Sequence, residues 1–245
     1  MQSFRKRNKF LDKKKSMKIR PFILTCDKNI EFFSKFVNSY IGKARLSLQR
    51  PIIYAGYTSS DKGLRRRYNS LIAALSPEVV IPQPRYCEND YANIQYLAIK
   101  DIHSIGYHYV EDALLFFEDD IVFSSKFANI LSDLSFPANT GLLTLYSNGD
   151  EYFPNSESFI YEIDPKRYYG NQAVLFPKKV VADLSLNWQQ LLPYPYGWDL
   201  RWAGYLSDSG YKLYATYNSY VQHIGHGSRL HTDQSTRYIS NRYLA

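Results

Sequence analysis

Five apolar residues, Ala113-Leu114-Leu115-Phe116-Phe117, run without a break into three carboxylates, Glu118-Asp119-Asp120, and Ile121-Val122-Phe123 then resumes the apolar pattern. A short continuous apolar run reads as a strand buried on both faces, as in a parallel sheet covered by helices. Three adjacent like charges repel one another, and burial raises the cost further. The acidic triplet therefore belongs at the end of the strand, at the edge of the sheet. In open α/β sheets, ligands bind outside the carboxyl ends of the strands. A cation would offset both penalties. Hard divalent ions such as Mg2+ and Mn2+ take oxygen ligands and leave positions open for substrate phosphates. The triplet thus reads as a metal and diphosphate site. Its other reading is a solvated turn or helix N-terminus, where the dipole favours carboxylates.

The surrounding sequence has the rhythm such a sheet needs. Residues 19–25 read as a first buried strand ending at Cys26-Asp27, residues 51–57 as a second and residues 79–82 as a short third. Between them, Ile30, Phe33, Phe36, Val37 and Tyr40 fall at helical spacings. Residues 59–67 form a polar turn and helix start carrying Arg65, Arg66 and Arg67. Residues 91–105 are again helical, and Gly106 reads as their C-terminal stop. Strand and helix alternating over short connections predict right-handed crossovers and a mostly parallel α/β sheet flanked by helices. The second half predicts strands at 141–146, 159–163, 172–176 and 212–221, and helices at 178–186 and 200–209. A polar loop covers 148–154, and a Tyr/Pro/Gly-rich loop covers 193–198. With no internal repeat or low-complexity linker, one compact domain is expected rather than two separable ones.

Charge is uneven. Residues 1–20 hold nine basic side chains against Asp12, a net of +8, so the remaining 225 residues sum to −1 of the chain's +7. Such an arm could bind nucleic acid or an anionic membrane surface; its other reading is a solvated tail. Met17 directly precedes the first strand, so translation could start at Met1 or there. At 45% hydrophobic and 22% charged, the chain is not generally disordered. No stretch approaches the roughly 18 apolar residues that span a bilayer. No apolar segment follows the basic N-terminus, so no signal peptide is expected. Two cysteines, Cys26 and Cys87, make neither a disulfide framework nor a zinc site, and a cytoplasmic setting is expected. The 23 tyrosines offer an apolar face with a polar tip, suited to stacking on sugars or bases and equally to half-buried packing.

The segment Leu114-Leu115-Phe116-Phe117-Glu118-Asp119-Asp120-Ile121 resembles the metal-binding DxD-type motif of GT-A glycosyltransferases. Its Glu-Asp-Asp spelling is similar to that of the N-acetylglucosaminyltransferase I-like group. Phe22-Ile23-Leu24-Thr25-Cys26-Asp27-Lys28-Asn29 resembles the first nucleotide-binding strand and loop of that fold. Tyr169-Gly170-Asn171-Gln172-Ala173 resembles its acceptor-side loop, and Gly197-Trp198-Asp199 its catalytic-base segment. The similarity spans residues 18–230. It implies a basic arm over residues 1–17 and a single GT-A (Rossmann-like) domain over 18–245, with a nucleotide-sugar half at 18–123 and an acceptor half at 124–245. The implied activity is metal-dependent transfer of a sugar from a nucleotide-sugar donor, usually a UDP-sugar, to a hydroxyl of a glycan or other acceptor. Asp120 would hold Mn2+ or Mg2+ against the diphosphate. Glu118 and Asp119 would face the nucleoside and donor sugar. Asp27 would lie near the base or ribose, and Arg65 would contact phosphate or base, unless Arg65 to Arg67 form only a solvated helix face.

Inverting transfer needs a carboxylate to take the acceptor hydroxyl's proton, and Asp199 is the candidate base. An aromatic pocket could raise its pKa. Its other reading is a helix N-cap. Two histidines and two glycines crowd into residues 221–228, and the glycines permit close backbone approach. His223 resembles the late-chain His that completes the metal site in some GT-A enzymes; its other reading is a hydrogen-bonded loop histidine. His223 is preferred to His226 because it directly follows the strand, and His231 is given no role. Two other activities compete. A nucleotidyltransferase or phosphohydrolase would also place carboxylates at a strand end, but Cys26-Asp27-Lys28-Asn29 has no glycine for a phosphate loop. A nucleic-acid-binding module lacks any helix–turn–helix, zinc-finger or RNP signature. A glycosyltransferase acting on modified nucleic acid bases combines the two halves, with the arm supplying phosphate contacts.

Overall fold

In chain order the strands are β1 (Ile19–Cys26), β2 (Ile52–Gly56), β3 (Val79–Pro82), β4 (Ala113–Glu118), β5 (Ile121–Phe123), β6 (Thr140–Thr144), β7 (Ile160–Ile163), β8 (Ala173–Pro177), β9 (Lys212–Thr216) and β10 (Val221–His223). The helices are α1 (Ile30–Lys43), α2 (Lys62–Ala74), α3 (Tyr91–Tyr109), α4 (Phe127–Asp133), α5 (Lys178–Asn187) and α6 (Trp198–Asp208). The computed structural model describes residues 16–83, 91–147, 159–168, 170–195, 197–225, 240 and 242–245. The basic arm up to residue 15, the polar loop at 148–154, Cys87, His226 and His231 lie outside the described residues.

Eight strands form one sheet in the order β3-β2-β1-β4-β8-β6-β9-β7. Six run in one direction and only β8 and β7 oppose them, so the sheet is mostly parallel as expected. β5 and β10 pair antiparallel in a separate ribbon. Helices α1, α2 and α4 cover one face and α3, α5 and α6 the other. That explains the unbroken apolar run of β4: Leu115 and Phe117 enter the first core, Leu114 and Phe116 the second. All five periodic residues of α1 are buried. Many tyrosines are packing residues, since Tyr40, Tyr54, Tyr68, Tyr146 and Tyr168 are fully buried.

Three sequence readings change. Gly106 does not stop α3, which continues to Tyr109; a Cβ at Gly106 would stand 2.8 Å from Leu114 Cδ2, so glycine lets the helix close on β4. The strand expected over 212–221 divides into β9 in the large sheet and β10 in the ribbon. Helix α4, with Phe127, Ile130 and Leu131 buried, was not expected. Among the described residues, no helix is long and apolar enough to cross a membrane.

Candidate functional site

From β1 the chain steps outward to β2 and β3, then returns to place β4 on the other side of β1. This reversal opens a crevice at the carboxyl ends of β1 and β4, where ligands of open α/β sheets bind. The acidic triplet lies there. The strand pleat separates its members, because successive side chains leave opposite faces. Asp119 turns inward: it is 6% exposed, and its Oδ2 accepts from Thr25 Oγ1 at 2.8 Å and the Cys26 amide at 3.2 Å. It ties the end of β4 to the end of β1.

Asp27 is also turned inward and fully buried. Its carboxylate accepts from the Thr58 amide at 2.9 and 3.0 Å, Thr58 Oγ1 at 2.6 Å and the Ser59 amide at 2.9 Å. Burial works against its charge, but these hydrogen bonds outweigh it and hold the carboxyl below the usual range. Arg65, in the first turn of α2, donates from Nε to the Ser59 carbonyl at 2.6 Å. Its neighbours differ: Arg67 pairs with Glu31 at 2.8 Å on the surface, and Arg66 is exposed. The basic triplet therefore contributes one side chain to the end of β2 and two to solvent.

Asp120 sits in the tight connection between β4 and β5. The antiparallel ribbon places His223 opposite Ile121, and the Ile224 amide donates to the Asp120 carbonyl at 2.7 Å. His223 Nε2 thereby comes 2.9 Å from Asp120 Oδ2. His223 is the last residue of β10 rather than the residue after a strand, and pairing is what aims it. Gly225 is needed here, since a Cβ would stand 2.4 Å from Asp120 Oδ2 and 3.0 Å from His223 Nε2. Asp120 Oδ1 is buried with no hydrogen-bond partner among the described residues. Two ligands at right angles around an ion with bonds of about 2.1 Å stand about 3.0 Å apart. As it stands the 2.9 Å contact is a hydrogen bond between the two side chains; their imidazole nitrogen and carboxylate, with Asp120 Oδ1 unpartnered among the described residues, are also the donor types a divalent cation takes. Among the described residues, no group of three or more His, Cys, Asp or Glu side chains is placed for a metal.

Asp199 approaches from the opposite side. Gly197, at φ 106, precedes α6 as its N-cap, so Asp199 is the second helical residue and not the cap. Its Oδ1 accepts from the Leu200 amide at 3.0 Å and its Oδ2 from the Gly170 amide at 3.3 Å. The adjoining Trp198 stacks on Phe116 with centroids 5.9 Å apart. Glu118 is half-buried between these groups. Burial, then repulsion from Asp120, Asp199 and Asp119, pushes its carboxyl well above the ordinary range.

The structure thus brings Glu118, Asp120, His223 and Asp199 to one crevice, with Asp119 bracing its floor. Asp27 and Arg65 line the neighbouring β1–β2 end, and Asp27 acts through Thr58 and Ser59. No local pattern marks Thr25, Thr58 and Ser59 as the partners of the two inward carboxylates. Gly225 was visible as part of a glycine-rich stretch, without its target.

No family model and no curated protein matches the sequence. The fold does have counterparts: 339 chains of solved structures match it, so the likeness does not rest on one pairing. Among them is the crystal structure of GalNAc-T7 with UDP, GalNAc and Mn2+, at a TM-score of 0.59 and 14% identity. The match covers 86% of this chain and 44% of that one, so this chain spans less than half of its neighbour's length. The fold is GT-A. In this fold the crevice lies at the ends of β1 and β4, with β8 and the start of α6 beside it.

Proposed function

We propose that the chain is a metal-dependent glycosyltransferase that moves a sugar from a nucleotide-sugar donor of the UDP class to an acceptor hydroxyl. One observation carries this reading. Asp120 and His223 form a 2.9 Å pair at the switch point of a GT-A fold, with Asp120 Oδ1 buried and unpartnered. The presence of UDP and Mn2+ in the GalNAc-T7 crystal structure supports the nucleotide and the cation. The Glu118-Asp119-Asp120 spelling supports the narrower N-acetylglucosaminyltransferase I-like placement.

Asp120 and His223 hold Mn2+ or Mg2+. When bound, the ion supplies positive charge to the diphosphate as it leaves. Asp199 accepts the proton of the attacking hydroxyl, and its hydrogen bonds to the Gly170 and Leu200 amides fix the carboxylate's direction. With Asp199 as base and no protein nucleophile invoked, the displacement inverts the sugar. Arg65 offers a cation at the nucleotide side, and Asp27 shapes that side by holding residues 58–59. Asp119 fixes the spacing of β1 and β4, and Glu118 lies under the donor sugar. Residues 18–245 act as one domain, in nucleotide-sugar and acceptor halves at 18–123 and 124–245. The basic residues 1–17 supply contacts to an anionic surface, nucleic acid or membrane. The scarcity of cysteine supports a cytoplasmic setting.

Thermal-shift titration with a panel of nucleotide sugars, with and without Mn2+, tests the reading, because a ligand of the folded state raises the melting temperature. A UDP-sugar that stabilises only with the ion is the expected result. No stabilisation by any nucleotide sugar in the presence of Mn2+ would refute it.

A further inference from the structure

At the start of β8 stands a carboxamide that neither the cation nor the proton transfer uses. Gln172 is 7% exposed, yet its Oε1 is buried with no hydrogen-bond partner among the described residues. Asn171, one residue earlier, shows the same combination. An unpartnered buried carbonyl of this kind costs about 1–3 kcal/mol, and native structures leave few of them. Such an oxygen is explained when a ligand supplies the missing donor.

The position of Gln172 identifies that ligand. β8 runs antiparallel to β4, and their pairing ends with Ala173 opposite Phe117, so Gln172 and Glu118 are the next residues beyond the same end of the ladder. On its other side, a Cβ built on Gly170 would stand 2.6 Å from Gln172 Oε1, while the Gly170 amide donates to Asp199 Oδ2. One glycine thus separates the Gln172 oxygen from the Asp199 carboxylate. Gly170 has φ +105, a conformation that strains any L side chain, so the contact depends on glycine twice over. Glu118 ends β4, one residue before Asp119 and two before Asp120, and the Asp199 carboxylate is near enough to repel it. Glu118 and Gln172 therefore form the floor between the diphosphate end and the proton acceptor. The group in transit between those ends is the sugar. The unpartnered Gln172 oxygen is an acceptor, which suits a ligand that brings a hydroxyl donor.

We infer that Gln172 Oε1 accepts a hydrogen bond from a ring hydroxyl of the transferred sugar and is a specificity-determining residue for the donor. This rests on the glycosyl-transfer reading above. A site built to pair a substrate hydroxyl discriminates strongly against an analogue lacking it, because its own polar group is left unpaired.

The test is calorimetric titration of the full chain with Mn2+ and, separately, UDP, UDP-glucose, UDP-galactose and their N-acetylhexosamine counterparts. Wild-type protein is expected to bind one UDP-hexose more tightly than UDP. Gln172→Leu is expected to bind UDP as wild type does and to lose at least about tenfold of the affinity for that UDP-hexose, the effect of one buried hydrogen bond. A second measurement needs no variant: monodeoxy analogues of the preferred donor are titrated into wild-type protein, and removal of one particular hydroxyl is expected to cause the same loss. Full UDP-hexose preference in Gln172→Leu, or monodeoxy analogues that all bind like the parent, overturns the inference. So does UDP binding with no gain from any hexose. Absence of UDP binding with Mn2+ overturns the glycosyl-transfer reading itself.

Discussion

Gly225→Ala isolates the cation site from the rest of the fold. The new Cβ would stand 2.4 Å from Asp120 Oδ2 and 3.0 Å from His223 Nε2. The first distance is about 1 Å short of ordinary van der Waals contact, so the carboxylate or the 223–225 backbone must give way. Either shift spoils a 2.9 Å separation that matches the span of adjacent ligands on a small divalent ion. Changes of this kind in residues that support a metal ligand weaken affinity by about 10- to 100-fold. That is about 1.4–2.7 kcal/mol. For a chain of this size, 1 kcal/mol shifts the melting temperature by about 2–4 °C, so Gly225→Ala should lose roughly 3–10 °C of the Mn2+-dependent stabilisation by UDP. The readouts are Mn2+ titration and thermal shift, each with and without UDP. Gly42→Ala is the control: a Cβ there meets nothing within 4 Å, inside α1. It should leave metal affinity unchanged while stabilising the fold by up to about 1 kcal/mol. Wild-type Mn2+ affinity in Gly225→Ala would refute the placement of the ion between Asp120 and His223.

Asp199→Asn should lower turnover by at least about 10²-fold, with a modest fall in melting temperature because one of the two amides that now bond the carboxylate, Gly170 or Leu200, would face an NH2 donor; near-native turnover in a folded variant would remove Asp199 as base. His223→Ala should weaken Mn2+ binding by more than His226→Ala does, as read by Mn2+ titration; equal affinities would remove His223 from the site. The fold should also be acid-sensitive through His103, which is fully buried, accepts from Trp202 Nε1 at 2.9 Å and is pushed down to about 3 by burial. Its folded pKa lies below the unfolded value, so its neutral form supports the fold above about pH 6.5, and that support is lost as pH falls: about 2 kcal/mol by pH 5. Urea unfolding at pH 7.5 and pH 5 should therefore show a smaller acid loss in His103→Gln than in wild type, and equal losses would show that His103 does not stay neutral in the fold.

Patterns that depend on local spacing were legible. The five apolar positions of α1, the apolar run of β4 and the strand–helix alternation each follow from a period that the chain repeats, and each is realised. What depends on distant partners was not. The resemblance implied that Asp27 would lie near the base or ribose and that Asp119 would face the nucleoside and donor sugar, whereas both carboxylates turn inward. Their hydrogen bonds reach residues 31 and 94 positions away, and no local pattern records that. The division of 212–221 into two strands has the same cause, since the partners of β10 lie in β5 and not in the large sheet. Gly106 was misread because a glycine near a helix end ordinarily marks a stop. Here its missing side chain makes room for Leu114 across the interface.

The acidic triplet can exist at all because the fold gives its three members different circumstances. Two bare carboxylates about 4 Å apart repel by about 4 kcal/mol at an effective dielectric near 20. The pleat sends Asp119 to the opposite face, where a hydroxyl and an amide donate to its carboxylate. Burial and its carboxylate neighbours push the Glu118 carboxyl well above the ordinary range. Asp120 alone is paired with a second metal-type donor and keeps a buried oxygen without a partner. On the proposed reading, a cation at this crevice would meet two protein ligands among the described residues, short of the octahedral six that such ions favour. The diphosphate oxygens of a nucleotide would then supply further ligands and negative charge. Ion and nucleotide should consequently bind as a unit: each should raise the affinity of the other by the same factor, as linkage requires. Mn2+ titrations with and without UDP, and UDP titrations with and without Mn2+, measure that factor twice, and ion affinity that ignores UDP would show that the protein completes the coordination by itself.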